Sequence, residues 1–314
     1  MIQRTGRSLL LAVFATLLSV SCVSQQSRAQ AVSWTELGNA WAELERWDKA
    51  GEAWSRAMGL DPGQLVASYN LARALAEAGK YDESIAKSDE FLAFDPENAA
   101  VMAVKAYALH KAGRDEEALA VYQKVERLNG GDLASVYNLA LLMEALGRID
   151  DAMQRYEQIL LIQADHVGAS YRKGLILSSQ GESDSALPLL LRYVEANPKS
   201  KEARSALALA QERAGRYQEA LGSYRTMLEN DDKDADAWFA MARLNLTVIE
   251  DGQAGLDALG SAITNGFKDR DRVRALLDDP KLVVPEAVKE ALDKAGLLTE
   301  PAQQPPADPQ APSP

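Results

Sequence analysis

Apolar residues recur along the middle of the chain at helical spacing, in pairs of runs separated by a glycine. Leu139, Leu142 and Met143 form one such run, and Ala152, Tyr156, Ile159 and Leu160 form the next. Gly79, Gly113, Gly147, Gly181 and Gly215 stand 34 residues apart, and Asp61-Pro62 and Asp95-Pro96 share that step. A cut before Ala31 divides the chain without insertion into seven repeats: 31–64, 65–98, 99–132, 133–166, 167–200, 201–234 and 235–268. Each repeat predicts two helices. Small residues recur where the paired helices must cross: Gly38, Ala72, Ala106, Ala140, Gly174, Ala208 and Ala242 in the first, Ala50, Ser84, Ala118, Ala152, Ala186 and Ala220 in the second. The glycines between helices suit the left-handed residue that ends a helix. Acids such as Asp82, Glu83 and Asp115 follow, complementing the next helix's dipole.

The first repeat reads Trp34-x-x-Leu37-Gly38-x-x-Trp41, then Ala50, Trp54, Ala57 and Pro62, and later repeats keep subsets of it. This pattern resembles the tetratricopeptide repeat, and the resemblance covers about three quarters of the chain. It implies an all-α fold: a right-handed superhelical solenoid of seven 34-residue helix-turn-helix units with a C-terminal helical cap. Two departures stand out. Pro188 falls early in the second helix of repeat five, where a small distortion is expected. Repeat seven carries Asn245 in place of a large apolar residue, with Gly252 and Gly255 at its turn, and its second helix is expected at about 254–265. Beyond it, Arg272–Leu277 and Pro285–Ala295 predict two short capping helices within 269–299. Residues 300–314 hold six of the twelve prolines and predict a disordered tail.

The N-terminus differs. Arg4 and Arg7 precede the uncharged run Leu9 to Val20, too short to span a bilayer but suited to a signal peptide over 1–21. Ser19-Val20-Ser21-Cys22 resembles a bacterial lipobox, with Ser19 where leucine is expected; Cys22 is the sole cysteine and follows directly on the apolar run. Cys22 is therefore the expected lipidation site, and the polar stretch before Ala31 is expected to be a structureless tether over 22–30. Ala29-Gln30-Ala31 is the alternative, an ordinary signal-peptidase site giving a soluble periplasmic protein. Either reading places the protein outside the cytoplasm, with the lipid reading tying it to the membrane at the periplasmic face.

Charge and chemistry narrow the function further. The formal charge is −12, which disfavours nucleic acid. One cysteine and two histidines, His110 and His166, predict no metal site and no cofactor. Four of the five tryptophans fall in repeat one at core positions, so packing is a better reading than a sugar platform. No nucleophile or acid–base pair has a recognised context, and no enzymatic activity is expected.

What remains is the groove. In tetratricopeptide proteins the first helix of each repeat lines the concave face, and the resemblance carries that role here to Tyr69, Tyr107, Tyr137, Leu141, Tyr171, Leu175 and Phe239. Arg73 and Arg243 are among its cations, and acids and bases nearly balance along it. Asn39 and Asn70 match asparagines of the chaperone-binding carboxylate clamp, but Thr35, Ala100 and Val104 stand where its cations belong, so the clamp is absent. Asn70 and Asn138 recur in Tyr-Asn-Leu-Ala, placed either to bond a peptide backbone or to satisfy a neighbouring repeat. Tyr69, Tyr137, Tyr171 and Phe239 share one repeat position, where Thr35, Ala103 and Ser205 stand in other repeats; packing therefore does not demand the rings. The expected function is a non-catalytic scaffold of the cell envelope that binds a protein or an extended peptide. A transport accessory protein handing a small ligand to a permease, or a regulatory docking subunit for an enzyme, are the alternatives.

Overall fold

A computed structural model describes residues 24–128 and 132–298, and these form two compact units that meet in sequence at Ile159 and Leu160. Cys22, the expected lipidation site, the expected signal segment 1–21 and residues 300–314, expected to be a disordered tail, lie outside the described residues. The N-terminal unit holds α1 (Gln25–Glu43), α2 (Trp47–Leu60), α3 (Leu65–Glu77), α4 (Tyr81–Leu92), α5 (Ala99–Lys111), α6 (Asp115–Leu128), α7 (Leu133–Ala145) and most of α8 (Ile149–Ile162). The C-terminal unit holds α9 (Val167–Ser179), α10 (Ser183–Ala196), α11 (Lys201–Arg213), α12 (Tyr217–Asn230), α13 (Ala235–Leu244), α14 (Gly252–Thr264), α15 (Arg270–Leu277) and α16 (Pro285–Lys294). No strand occurs among the described residues.

The turns between paired helices form as their glycines dictate. Gly79, Gly113, Gly147, Gly181 and Gly215 have φ between 72 and 88°. At the first, Lys80 N–H bonds Leu75 C=O at 2.8 Å and Gly79 N–H bonds Ala76 C=O at 3.1 Å, the paired closure that satisfies the last carbonyls of a helix. The crossing positions are sealed: Ala72, Ala106, Ala140, Ala208 and Ala242 are buried, as are Ala50, Ala118, Ala152, Ala186 and Ala220 opposite them. Where Ser84 replaces alanine, its hydroxyl donates to Ala72 C=O at 2.7 Å, so the buried polar group is satisfied.

Two expectations need correction, the structureless tether and the plain seventh repeat. Residues 25–30 are not a structureless tether but the first turns of α1, with Ser24 capping it by accepting from Ser27 N–H at 3.0 Å. A polar sequence with a serine cap and no proline or glycine has nothing to stop helix from propagating backward from a packed core. Pro188 lies within α10, which continues through it unbroken; the carbonyl it leaves without a partner belongs to exposed Asp184. Repeat seven is not a plain 34-residue unit. Its first helix runs into a π-helical segment, Asn245–Ile249, where Glu250 N–H bonds Asn245 C=O, and the left-handed residue is Glu250, one place later than the step from Gly215. One residue has been inserted and absorbed by the wider turn. Gly255 thereby takes the crossing position in place of Ala254, and a Cβ there would lie 2.4 Å from Leu246 Cγ. The capping helices appear as predicted, burying Val273, Leu276, Val288 and Leu292 against the end of repeat seven.

Candidate partner-binding cleft

Because consecutive helices are joined by short turns, α3, α5 and α7 run in the same direction, and each of their inner faces meets the next. Tyr69, Arg73 and Glu77 project from one stripe of α3, spaced four residues apart. Together with α5 and α7 they enclose a cleft of about 600 Å³. Between the tyrosines its lining is small and apolar: buried Ala76 from α3, half-buried Ala103 and Val104 with exposed Ala100 from α5, and exposed Ala134 from α7. Tyr69 and Tyr107 form half-buried walls, Asn138 closes one side, and Arg73, Glu77 and Asp132 bring charge to the rim.

The polar groups around the cleft are held in place. Burial, and then the nearby Glu77 carboxylate, push the Tyr107 phenol above its ordinary pKa, so it stays a hydrogen-bond donor; the Lys111 ammonium sits 5.6 Å from its ring centroid. Arg73 lies 5.9 Å over the Trp47 ring. Asn70 Nδ2 donates to Asn39 Oδ1 at 3.0 Å, and Asn39 also accepts from the buried Trp54 indole at 3.2 Å. Asn138 hydrogen-bonds the buried Tyr122 phenol, whose pKa is raised chiefly by burial. Both asparagines thus serve neighbouring side chains at the cleft edge. Tyr137 lies 6.0 Å from Tyr156, and the Tyr156 hydroxyl donates to Glu144 at 2.9 Å; Leu141 is half-buried on the same helix.

In the C-terminal unit the candidates diverge. Tyr171 is half-buried and stacks on Tyr193 at 4.1 Å, burial holding its phenol above its ordinary pKa, with Leu175 one turn further along α9. Arg243 is ion-paired with Glu212, which also accepts from the Tyr224 hydroxyl at 2.8 Å, so its charge is already matched. Phe239 is not a groove residue. It is completely buried, stacked on Phe267 at 4.0 Å, with the Arg272 guanidinium 4.9 Å over its ring. The end of repeat seven and the cap that follows fold back over this position, which the repeat pattern alone does not reveal.

Sequence reasoning also passed over residues that the fold employs. Ala103 and Ala134 line the cleft and keep it open simply by being small, a signal legible only once the tyrosines beside them are placed. Both histidines have partners: His110 Nδ1 lies 2.8 Å from Asp115, and His166 caps α9 by accepting from Ala169 N–H at 3.0 Å. The tryptophans of repeat one pack as expected, Trp54 buried and Trp34, Trp41 and Trp47 against it. Among the described residues, no group of three or more His, Cys, Asp or Glu side chains is placed to hold a metal ion.

The sequence model of the tetratricopeptide repeat family matches residues 69–132, 137–201, 171–235 and 205–247, more than half of the 314-residue chain. The chain belongs to that family. Among solved structures, a tetratricopeptide repeat protein from Parabacteroides merdae is 16% identical with a TM-score of 0.53, over 85% of this chain and 99% of that one. A double mutant of MamA from strain RS-1 is 21% identical with a TM-score of 0.50, over 53% of this chain and 93% of its own. YrrB, a tetratricopeptide repeat protein with an unusual peptide-binding site, is 17% identical with a TM-score of 0.50, over 60% of this chain and 98% of its own. At such identities the likeness is one of fold. No curated protein matches. Tetratricopeptide arrays are protein–protein interaction scaffolds and typically non-catalytic, and at that level the function of this chain follows from its family.

Proposed function

We propose that the cleft between α3, α5 and α7 holds an extended segment of a partner protein. One apolar side chain rests on Ala100, Ala103, Val104 and Ala134, and the segment's backbone meets the polar rim. The single observation behind this reading is the pairing of that small apolar lining with two half-buried tyrosine walls. Clamp cations at Ala100 and Val104 would have favoured a terminal carboxylate; their absence favours an internal apolar side chain. Tyrosine suits such walls because it brings much contact area at low entropic cost. The unusual peptide-binding site of YrrB belongs to a protein of the same fold, and peptide binding here is an extension by analogy.

We further propose that the scaffold works on the periplasmic face of the envelope, held by lipid on Cys22. This rests on the basic and apolar order of residues 1–21 and on the lipobox-like Ser19–Cys22. Affinity capture from the native envelope supplies the partner. Tyr69→Ala with Tyr107→Ala should leave helicity and melting unchanged and weaken that partner by at least ~2 kcal/mol, the scale of an interface hot spot. A folded double variant that binds with full affinity removes the cleft from consideration. For the anchor, the mature protein should partition into detergent and Cys22→Ala should release it; an unmodified chain beginning at Val32 would establish cleavage after Ala31 instead.

A further inference from the structure

The edge of the N-terminal unit where second helices end and the next first helices begin is unusually apolar. Phe94, in the turn after α4, is 85% exposed, and Leu128 ends α6 at 40% exposed. Leu65 and Val66 open α3 at 51% and 60% exposed, on the same edge. Phe94 and Leu128 occupy the thirtieth position of their repeats, which Leu60 takes in repeat one and exposed Ile162 in repeat four. Repeats five and six have Ala196 and Asn230 there, also exposed, so repeat packing does not require a large apolar residue at that position. The loops change with it: Asp-Pro-Gly-Gln-Leu-Val follows repeat one's second helix, whereas Asp-Asp-Lys-Asp follows repeat six's.

What faces this edge is indicated by where the chain enters. First helices run in one direction, so α1 points its N-terminal end out of the edge that carries the start of α3 and the end of α2; it begins six residues ahead of Ala31, the first position of its repeat, and projects about 9 Å beyond the level of Leu65. Ser24 caps α1, and Cys22 precedes it by two residues, a reach of about 7 Å at full extension. With α1 helical from Gln25, the path from the edge to Cys22 is at most about 16 Å and runs through the polar residues 23–30, a span comparable to a headgroup layer. A lipid on Cys22 would therefore hold the side of the unit that carries Phe94, Leu65, Val66 and Leu128 towards the membrane. We propose that this edge rests on the lipid surface, with the Phe94 ring inserted among the headgroups; the proposal builds on lipid attachment at Cys22. Apolar side chains presented by an already anchored protein gain from partial burial at that depth. Two acids on the edge are occupied locally, Asp61 accepting from Gly63 N–H at 3.1 Å and Asp95 from Asn98 at 3.0 Å, and Glu97 adds a third carboxylate there. They carry negative charge nonetheless, so a zwitterionic surface should be preferred to an anionic one.

The test uses the full, lipid-modified chain, in which the Cys22 sulfur is blocked and an introduced cysteine is the only free thiol. F94C and, as control, L191C on exposed mid-helix α10 are labelled with an environment-sensitive fluorophore. The protein is then placed on phosphatidylcholine vesicles with and without phosphatidylglycerol, and intact mass is recorded on the same preparation. The label at 94 should brighten several-fold and shift to the blue on the zwitterionic vesicles, less so on the anionic ones, while the label at 191 stays wet. If mass shows the lipid and both labels remain wet, the edge proposal fails while the anchor stands. If mass shows no lipid, the anchor reading fails and the edge proposal falls with it. A blue shift at 94 that depends on protein concentration without vesicles would assign the edge to a second copy of the chain and overturn the membrane proposal.

Discussion

Tyr69 on α3 and Phe239 on α13 occupy the fifth position of their repeats, on first helices of the same kind, yet they meet opposite surroundings. Tyr69 walls an open cleft and stays partly exposed. Phe239 is sealed beneath Phe267 and Arg272, and Arg272 is itself tied to Asp236 at 2.6 Å. Within a repeat, register decides the direction in which a side chain points. It does not decide what the chain later lays over it. In repeats two and three the next neighbour is another repeat, which leaves the face of the first helices open. After repeat seven the neighbour is a cap, and the ring that would have lined a groove becomes its anchor point.

The largest expected effect tests this contrast directly. Phe239→Ala removes a fully buried ring from the cap core and should destabilise the C-terminal unit by ~3–5 kcal/mol. Tyr69→Ala, at a half-exposed site, should stay within ~1 kcal/mol. Because repeat arrays unfold in parts, hydrogen exchange resolved to α13, α15 and α16 is the sharper measurement than a single melting point. Equal losses from the two substitutions would erase the distinction between cleft and cap.

A smaller effect separates repeat seven from the regular repeats. Gly255→Val should cost ~1–3 kcal/mol, because its Cβ would press on Leu246 with no slack in the packed crossing. Ala254→Val, on the partly exposed side of α14, should be tolerated. A strict 34-residue step predicts the reverse, so the pair of substitutions reads out the inserted residue without further structural work.

These cases mark what the sequence could and could not convey. The period, the left-handed glycines and the small crossing residues are local and repeated, and each has one physical solution, so repeats one to six were legible. Asn245, Gly252 and Gly255 mark repeat seven as a departure but do not say of what kind: Asn245, Leu246 and Thr247 are compatible with either helix type, and the extra residue shows in the close fit of Leu246 against Gly255. The start of α1 was misread because polar residues are neutral toward helix once a core nucleates it, and Ser24 could equally have belonged to a loop. Of the groove candidates, Tyr69, Arg73, Tyr107 and Asn138 converge on one cleft. Tyr171 instead leans on Tyr193, Arg243 on Glu212, and Phe239 on Phe267. Those partners come from second helices, an adjacent repeat or the cap, and no pattern within a single helix announces them.

The smallest effect concerns the first repeat, where the turn that is glycine in repeats two to six is formed by Glu45 with φ of 55°. The closure is otherwise the same: Arg46 N–H bonds Trp41 C=O at 2.9 Å and Glu45 N–H bonds Ala42 C=O at 2.9 Å. A left-handed conformation costs a residue with a Cβ ~1–2 kcal/mol, which glycine avoids. Glycine in turn gives back ~0.5–1 kcal/mol through the greater freedom of its unfolded chain. The balance favours glycine, so Glu45→Gly should stabilise the α1–α2 pair by a few tenths to ~1 kcal/mol. Gly79→Ala, which installs the strain that repeat one already carries, should destabilise α3–α4 by about as much. Hydrogen exchange at the ends of α1 and α3 measures both. If Glu45→Gly loosened the first repeat instead, the glutamate side chain would have to contribute more than its backbone strain costs, and repeat one would be held by a contact that the other repeats lack.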